Sequence, residues 1–195
     1  LTKAILRAGR KADAAALAAL VDIAGEGIPA FMWSQMKGPR ESLLEYGRAR
    51  AARESGAFTY RNAIVAEIEG EVAGCLVDYR LADPYEIGDI AATPEVVRPL
   101  IRLEAKAPGS WYVNVLAVFA EFRGHGLGTA LLDLAKTRAQ DNGASRLSII
   151  VAAGNAGAMR LYERMGYAEA AREPVVPVPG CPHSGDWVLM LRLFH

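Results

Sequence analysis

Arg123, Gly124, Gly126, Gly128 and Thr129 fall close together in the stretch FRGHGLGTALL (122–132). A long apolar run precedes them and a helix-like pattern follows. Backbone N–H groups without intrahelical partners point out of the first turn of a helix. The macrodipole adds about half a positive charge there. Glycine allows close backbone approach to a ligand and visits positive φ without a Cβ penalty. Such a turn is an anion cradle, most naturally for phosphate. Thr129 adds a hydroxyl, and Arg123 adds a fixed charge with fork geometry.

Three phosphate-binding patterns compete for this turn. A P-loop needs Gly-Lys-Ser/Thr, but the chain reads Gly128-Thr129-Ala130, without lysine. A dinucleotide site needs G-x-G-x-x-G, and the third glycine, Gly128, comes one position early. It also needs an acidic residue at the end of the next strand, and LSIIVAAG has none. The third pattern, R-x-x-G-x-G, is present as Arg123-Gly124-His125-Gly126-Leu127-Gly128. With VLAVFAEF before it and TALLDLA after it, the turn resembles the pyrophosphate loop of the GNAT superfamily of acyl-CoA N-acyltransferases. SIIVAAGNAGAMRLYERMGY (148–167) is similar to that family's next strand, asparagine and helix. The close resemblance spans residues 111–167. A glycine turn packed without any ligand is the alternative.

The resemblance implies a mixed sheet splayed between its fourth and fifth strands, here 111–119 and 146–152, with helices on both faces. It implies that the backbones of Leu116, Ala117 and Val118 hold pantetheine as if it were a strand. The Leu116 N–H then serves as oxyanion donor. Arg123, Gly124, His125, Gly126, Leu127, Gly128 and Thr129 take the pyrophosphate, with His125 facing solvent. Asn155 either bonds the pantetheine arm or caps its helix. Tyr162 stands where many members place a general acid; the other reading is a buried aromatic with a satisfied hydroxyl. A phenol (pKa about 10) is a weaker acid than a thiol (about 8.5), so full transfer to thiolate is uphill by about 2 kcal/mol. Tyr162 is therefore expected mainly to hydrogen-bond the leaving sulfur.

An alkylammonium of pKa about 10 needs about 4 kcal/mol to lose its proton at pH 7. Many members carry a carboxylate near Asn114, but an amide accepts no proton. Asn114 is left to position water or substrate, or to satisfy a buried backbone group. A water relay to Glu26, Glu67 or Asp78 is open. The acceptor wall falls at GEGIPAFMWSQM (25–36), where Phe31, Met32 and Trp33 line an amine slot or form a hydrophobic staple between helices. Tyr85 and Glu86, in the excursion 82–110, are a second candidate wall.

The elements that must position these residues are read from periodicity. Ala4–Arg7 reads as a strand, and Asp13 caps a helix to about Ala24. Residues 25–36 read as a connection, and Pro39 opens a helix to about Glu54 on Leu43, Leu44 and Tyr46. Residues 62–80 read as a hairpin turning at Gly70-Glu71. Part of 82–110, near Glu95–Lys106, is helical despite Pro99. WYVNVLAVF (111–119) and RLSIIVA (146–152) are buried strands, and helix 126–141 lies between them. Asn155 starts a helix to Met165 whose face carries Ala158, Leu161, Tyr162 and Met165. Strands follow at Tyr167–Val176 and in DWVLMLRLF. The apolar last strand pairs across a homodimer or is covered within one chain.

The 195 residues suit one domain, 1–195, with 52% apolar and 23% charged residues. Zero formal net charge argues against nucleic acid or an anionic membrane as partner. No apolar span of membrane length and no signal peptide is read, and Cys75 and Cys181 suggest no disulfide framework, so the cytoplasm is expected. Cys181-Pro-His183 lacks a second half with ligand spacing, so no metal is expected. His183 and His195 carry little functional weight. The expected function is acetyl transfer from acetyl-CoA to a primary amine, on a small molecule or peptide, by direct attack in a ternary complex. A catalytically weak acyl-CoA sensor or partner-binding module is the main rival; a nicotinamide-dependent oxidoreductase is the other.

Overall fold

The computed structural model describes residues 4–182 and 184–194; His183 and His195 lie outside the described residues. Among the described residues seven strands form: β1 (Ile5–Ala8), β2 (Ala63–Ile68), β3 (Glu71–Arg80), β4 (Trp111–Val118), β5 (Arg146–Ala152), β6 (Ala168–Pro174) and β7 (Asp186–Leu193). Among the described residues six α-helices accompany them: α1 (Ala14–Ala24), α2 (Ile28–Met36), α3 (Leu43–Ala51), α4 (Arg98–Glu104), α5 (Leu127–Asp141) and α6 (Ala156–Arg164). The sheet order is β1-β2-β3-β4-β5-β7-β6. β4 and β5 run parallel, while β5–β7 and β6–β7 are antiparallel, so the sheet is mixed, as expected. Two compact units divide the chain: residues up to Asp78 with Val115–Leu131, and Tyr79–Asn114 with residues from Leu132 onward. β4 and α5 each contribute residues to both. No single helix among the described residues is long and apolar enough to cross a membrane.

In the first unit α1 buries Leu17, Ala18, Leu20 and Val21 with Val65, Cys75, Val77, Val115 and Ala117. Each fully buried leucine contributes about 1.5–3 kcal/mol of transfer free energy. Asp13 precedes α1, but its side chain makes no capping bond to that helix. It accepts instead from the Arg10 N–H at 2.7 Å and from the Arg7 guanidinium at 2.7 and 2.9 Å. A nearby guanidinium outcompetes the helix N–H groups because both partners of that pair are charged. Glu69 (φ 52°) and Gly70 (φ 85°) form the hairpin turn one residue earlier than expected, with both φ values positive, as a two-residue turn of that hand requires.

Residues 28–36, expected as a connection, are helical. Pro29 stands in the first turn of α2, where its missing N–H costs nothing. The Asp22 carboxylate, reaching over from α1, accepts the Ala30 N–H at 2.8 Å. α3 starts at Leu43 rather than at Pro39, behind a reciprocal cap in which the Ser42 hydroxyl accepts the Glu45 N–H and Glu45 accepts the Ser42 N–H. Leu43 and Leu44, expected on its buried face, are exposed; Gly47 and Ala51 are buried instead. The Trp33 ring lies so close that a Cβ on Gly47 would approach it to 2.5 Å.

In the second unit β7 lies between β5 and β6, so both edges of the last strand are used within the chain. Val113, Leu147, Val188, Leu189 and Met190 are among its fully buried strand side chains. The segment 82–110 is tied back to the strands. The Leu81 N–H donates to the Ser110 carbonyl at 2.9 Å, the hydroxyls of Ser110 and Ser148 bond at 2.7 Å, and Arg146 donates to the Pro108 carbonyl at 2.7 Å. α4 forms with Pro99 in its first turn and packs against β6 and β7.

Candidate functional site

β4 leads into a short 3-10 turn at Ala120–Phe122, then Arg123 in extended conformation. Gly124 (φ 80°) and Gly126 (φ 77°) then take left-handed backbone conformations. A Cβ on either glycine would meet nothing within 4 Å, so torsion and not crowding selects glycine here. The Ala130 N–H donates to the Gly126 carbonyl at 3.0 Å and closes the first turn of α5. Among the described residues, none accepts from the six backbone N–H groups of Gly124, His125, Gly126, Leu127, Gly128 and Thr129. Leu127 is buried and anchors the helix start, while Gly124, His125, Gly126 and Thr129 are exposed. Arg123 donates through Nε to the Val118 carbonyl at 3.2 Å. His125 Nδ1 lies 3.2 Å from the Phe122 carbonyl, and its residue faces solvent as expected.

Along β4, Val115 and Ala117 are core residues, Leu116 and Val118 are half-buried and Asn114 is exposed. Gly74 on β3 permits the close approach of this strand: a Cβ there would lie 2.6 Å from the Ala117 carbonyl oxygen. The parallel β4–β5 register runs from Trp111↔Leu147 to Val113↔Ile149, whereas β4 itself continues to Val118. β5 stays paired to β7 as far as Ala152↔Trp187.

In the second unit Asn155 caps α6, its Oδ1 accepting the Ala158 N–H at 3.1 Å. Tyr162 is the buried residue of α6; Ala158, Leu161 and Met165 on the expected face are half-buried. The Tyr162 ring meets that of Tyr167 at 5.9 Å with an interplanar angle of 52°.

Residues 28–167 match the model of the acetyltransferase (GNAT) family. The chain belongs to the GNAT family. Solved structures share the fold. One acetyltransferase is 21% identical with a TM-score of 0.66, covering 98% of this chain and 100% of its own. An N-acetyltransferase from Staphylococcus aureus Mu50 is 20% identical with a TM-score of 0.63, covering 96% and 99%. A protein from Bacillus anthracis str. Ames, solved in complex with acetyl coenzyme A, is 15% identical with a TM-score of 0.50, covering 68% and 62%. No curated protein sequence matches the chain. As a GNAT member the chain is an acyl-CoA-dependent N-acetyltransferase by class.

For this GNAT chain the residues expected on the acceptor side divide sharply. Trp33 is a core residue stacked on Phe58 at 6.3 Å and 13°. Phe31 and Met32 stay half-buried. Tyr85 is half-buried, and its hydroxyl donates to the Glu104 carboxylate at 2.6 Å; its neighbour Glu86 is exposed. Of the carboxylates named as proton relays, Glu67 accepts from the Arg7 guanidinium at 2.6 Å and is thus held in an ion pair. Asp78 is buried and Glu26 half-buried in a left-handed conformation. Burial pushes the Cys75 thiol up to about 12, which keeps it protonated and inert.

Glu104, which ends α4 and accepts the Tyr85 hydroxyl, was not singled out in the sequence. Its signal was its position at the end of the expected helix 95–106, behind Tyr85 in the same excursion. The Tyr85–Glu104 pairing, 19 residues apart in sequence, is visible only in three dimensions.

Proposed function

We propose that this GNAT enzyme transfers acetyl from acetyl-CoA to a primary amine, by direct attack in a ternary complex. The run of six N–H groups from Gly124 to Thr129 without protein acceptors carries this reading. These N–H groups are left open at a helix N-terminus, mostly exposed to solvent, and a diphosphate supplies acceptors for them. The residues therefore fit the coenzyme. Acetyl-CoA, when bound, supplies a thioester activated toward amines. Arg123 and Thr129 add charge and a hydroxyl beside the N–H run.

The β4–β5 register ends at Val113, and this supports a backbone role for Leu116, Ala117 and Val118. Their amides bond the pantetheine arm, and the Leu116 N–H donates to the acetyl carbonyl, where charge develops during attack. Asn155 spends its Oδ1 on the helix cap, so any further bond to the arm comes from its amide NH2. The Tyr162 hydroxyl hydrogen-bonds the leaving sulfur and donates its proton as the C–S bond breaks. Proximity of amine and thioester supplies much of the acceleration. Asn114, exposed on β4, positions water or substrate and takes no proton. The cytoplasm is the compartment this chemistry and the cysteine usage suit.

A second reading, a coenzyme-binding sensor with weak turnover, draws on Asn114, an amide where a proton acceptor is useful. A panel of primary amines with acetyl-CoA separates the two readings by free-thiol release. Amine-dependent release, lost in Tyr162→Phe, is the expected result. Tight coenzyme binding with no release for any amine overturns transfer and leaves the sensor.

A further inference from the structure

Trp33 of α2 packs on Gly47 of α3, so closely that a Cβ there would approach the ring to 2.5 Å. Residues three and four apart share a helix face. Met36 follows Trp33 by one helical turn, and Leu43 and Leu44 precede Gly47 by one turn. These three apolar side chains therefore gather at the connected end of the helix pair, and all three are exposed.

The rim of this patch is basic. Residues 36–53 carry Lys37, Arg40, Arg48, Arg50 and Arg53 against two acids, Glu41 and Glu45. Both acids accept backbone N–H groups, from Gly38 at 3.2 Å and from Ser42 at 2.8 Å. Arg48 stands exposed one turn beyond Leu44, and Arg40 stands exposed in the connection. The Glu45 charge is felt at Arg48 along the helix, but among the described residues no carboxylate forms an ion pair with Arg40 or Arg48.

Residues 82–97 carry the opposite sign. Asp83, Glu86, Asp89 and Glu95 lie there with no lysine or arginine. Ile87 stands between Glu86 and Asp89, and all three are exposed. The loop is held in shape by its own bonds: Arg98 donates to the carbonyls of Thr93 at 2.9 Å and Ala91 at 3.0 Å, and the Asp89 carboxylate accepts the Ala91 N–H at 3.0 Å. A loop ordered in advance loses less entropy on docking.

An apolar centre inside a charged rim is the anatomy of a protein–protein contact. This chain carries both halves of one, an apolar patch rimmed by base and an apolar tip rimmed by acid. Each half lies wholly within one compact unit. Each is exposed, so neither is covered by the chain that carries it. We infer that the loop 82–97 of one copy docks on the α2–α3 pair of a second copy. Ile87 meets Met36, Leu43 and Leu44, and Glu86 faces Arg48, with the opposed charges fixing the register. The contact joins unlike surfaces, so it closes into a ring or continues from copy to copy. None of the residues proposed to hold acetyl-CoA takes part.

A single loop on a single helix pair lies at the small, transient end of interfaces, so sedimentation velocity of the full chain is run up to about 0.5 mM. Wild type is expected to associate reversibly. Raising NaCl from about 0.05 to about 0.5 M is expected to weaken the association at least about fivefold, because the rim charges are screened. Arg48→Glu and Glu86→Arg each set like charges opposite one another and are expected to weaken it at least about tenfold. The double variant restores opposite charges across the contact and is expected to return to within about threefold of wild type. Leu44→Ser and Ile87→Ser, at exposed positions, are expected to weaken association at least about threefold with unchanged thermal unfolding. A chain that stays monomeric at every concentration overturns the pairing and leaves the patch to a different partner. Association that survives Arg48→Glu and Ile87→Ser, or that the double variant fails to recover, lies on other surfaces and overturns it as well.

Discussion

Gly126→Ala tests the proposed main-chain grip on the coenzyme. Gly126 has φ 77°, and a Cβ there would touch nothing within 4 Å. Steric overlap with neighbours therefore contributes nothing, and the cost is torsional, about 1–2 kcal/mol for a side chain in the left-handed region. The substituted chain relieves this strain by rotating φ at position 126, which swings the N–H groups of Gly126 and Leu127 off their common target. Each such bond to an ionised phosphate is worth about 1.5–3 kcal/mol, so loss of the equivalent of one of the two lowers acetyl-CoA affinity about 10- to 150-fold. Gly70 is the internal control. It has φ 85° in the β2–β3 hairpin, again with nothing within 4 Å of a Cβ. Gly70→Ala carries the same torsional cost with no coenzyme contact. Urea unfolding of both variants, with calorimetric titration of acetyl-CoA, provides the comparison. Similar losses of stability are expected, with the affinity loss confined to Gly126→Ala. Equal coenzyme affinity in the two variants refutes the claim that this loop binds through its backbone.

Tyr162→Phe is expected to lower kcat by about 10²- to 10⁴-fold, the usual range for a proton donor, with the acetyl-CoA Kd within twofold of wild type; unchanged kcat reduces Tyr162 to a packing residue. Gly47→Ala, whose Cβ would approach the Trp33 ring to 2.5 Å, is expected to destabilise the protein by about 1–3 kcal/mol in urea unfolding, through overpacking. Asp13→Asn tests the acid limb of stability. The Arg7 guanidinium holds the Asp13 carboxyl below its ordinary value of 3.8. A carboxyl lowered on folding stabilises the native state above its unfolded pKa, and that contribution drains away as pH falls through the folded one. Wild type is therefore expected to lose stability below about pH 4 more steeply than Asp13→Asn, which is already less stable at pH 7. Parallel pH profiles refute this.

Several elements were legible because one local signal sufficed for each. β5 is found at residues 146–152 as expected, since a short apolar run between polar turns has few alternatives. Asn155 at the start of α6 and the left-handed Gly166 after its end follow from capping chemistry within a few residues. The misreadings share a different cause. Gly25, Gly27 and Pro29 look like loop punctuation, yet Pro29 sits in a first turn and the Asp22 carboxylate caps the helix from α1. Ser42-x-x-Glu45 is a visible capping box, but Pro39 is the louder signal. Leu43 and Leu44 are exposed because the Trp33 ring occupies the face of α3 that carries Gly47 and Ala51. Propensity reports how a residue behaves alone, and Trp33 overrules it from another helix.

What the amino-acid order determined by itself was the glycine turn before α5, the parallel strands beside it and the helix cap. Each is a feature whose physics closes within about one helical turn or one strand, where backbone sterics and local hydrogen bonds dominate. What only the tertiary structure decided was the company of the charged groups. Asp13 and Glu67 converge on Arg7, and Glu173 draws away Arg102 and Lys106. Glu104 is left to the Tyr85 hydroxyl. An ionised side chain is governed by whichever partners the fold carries within hydrogen-bond reach, and for these residues several of those partners lie far away along the chain.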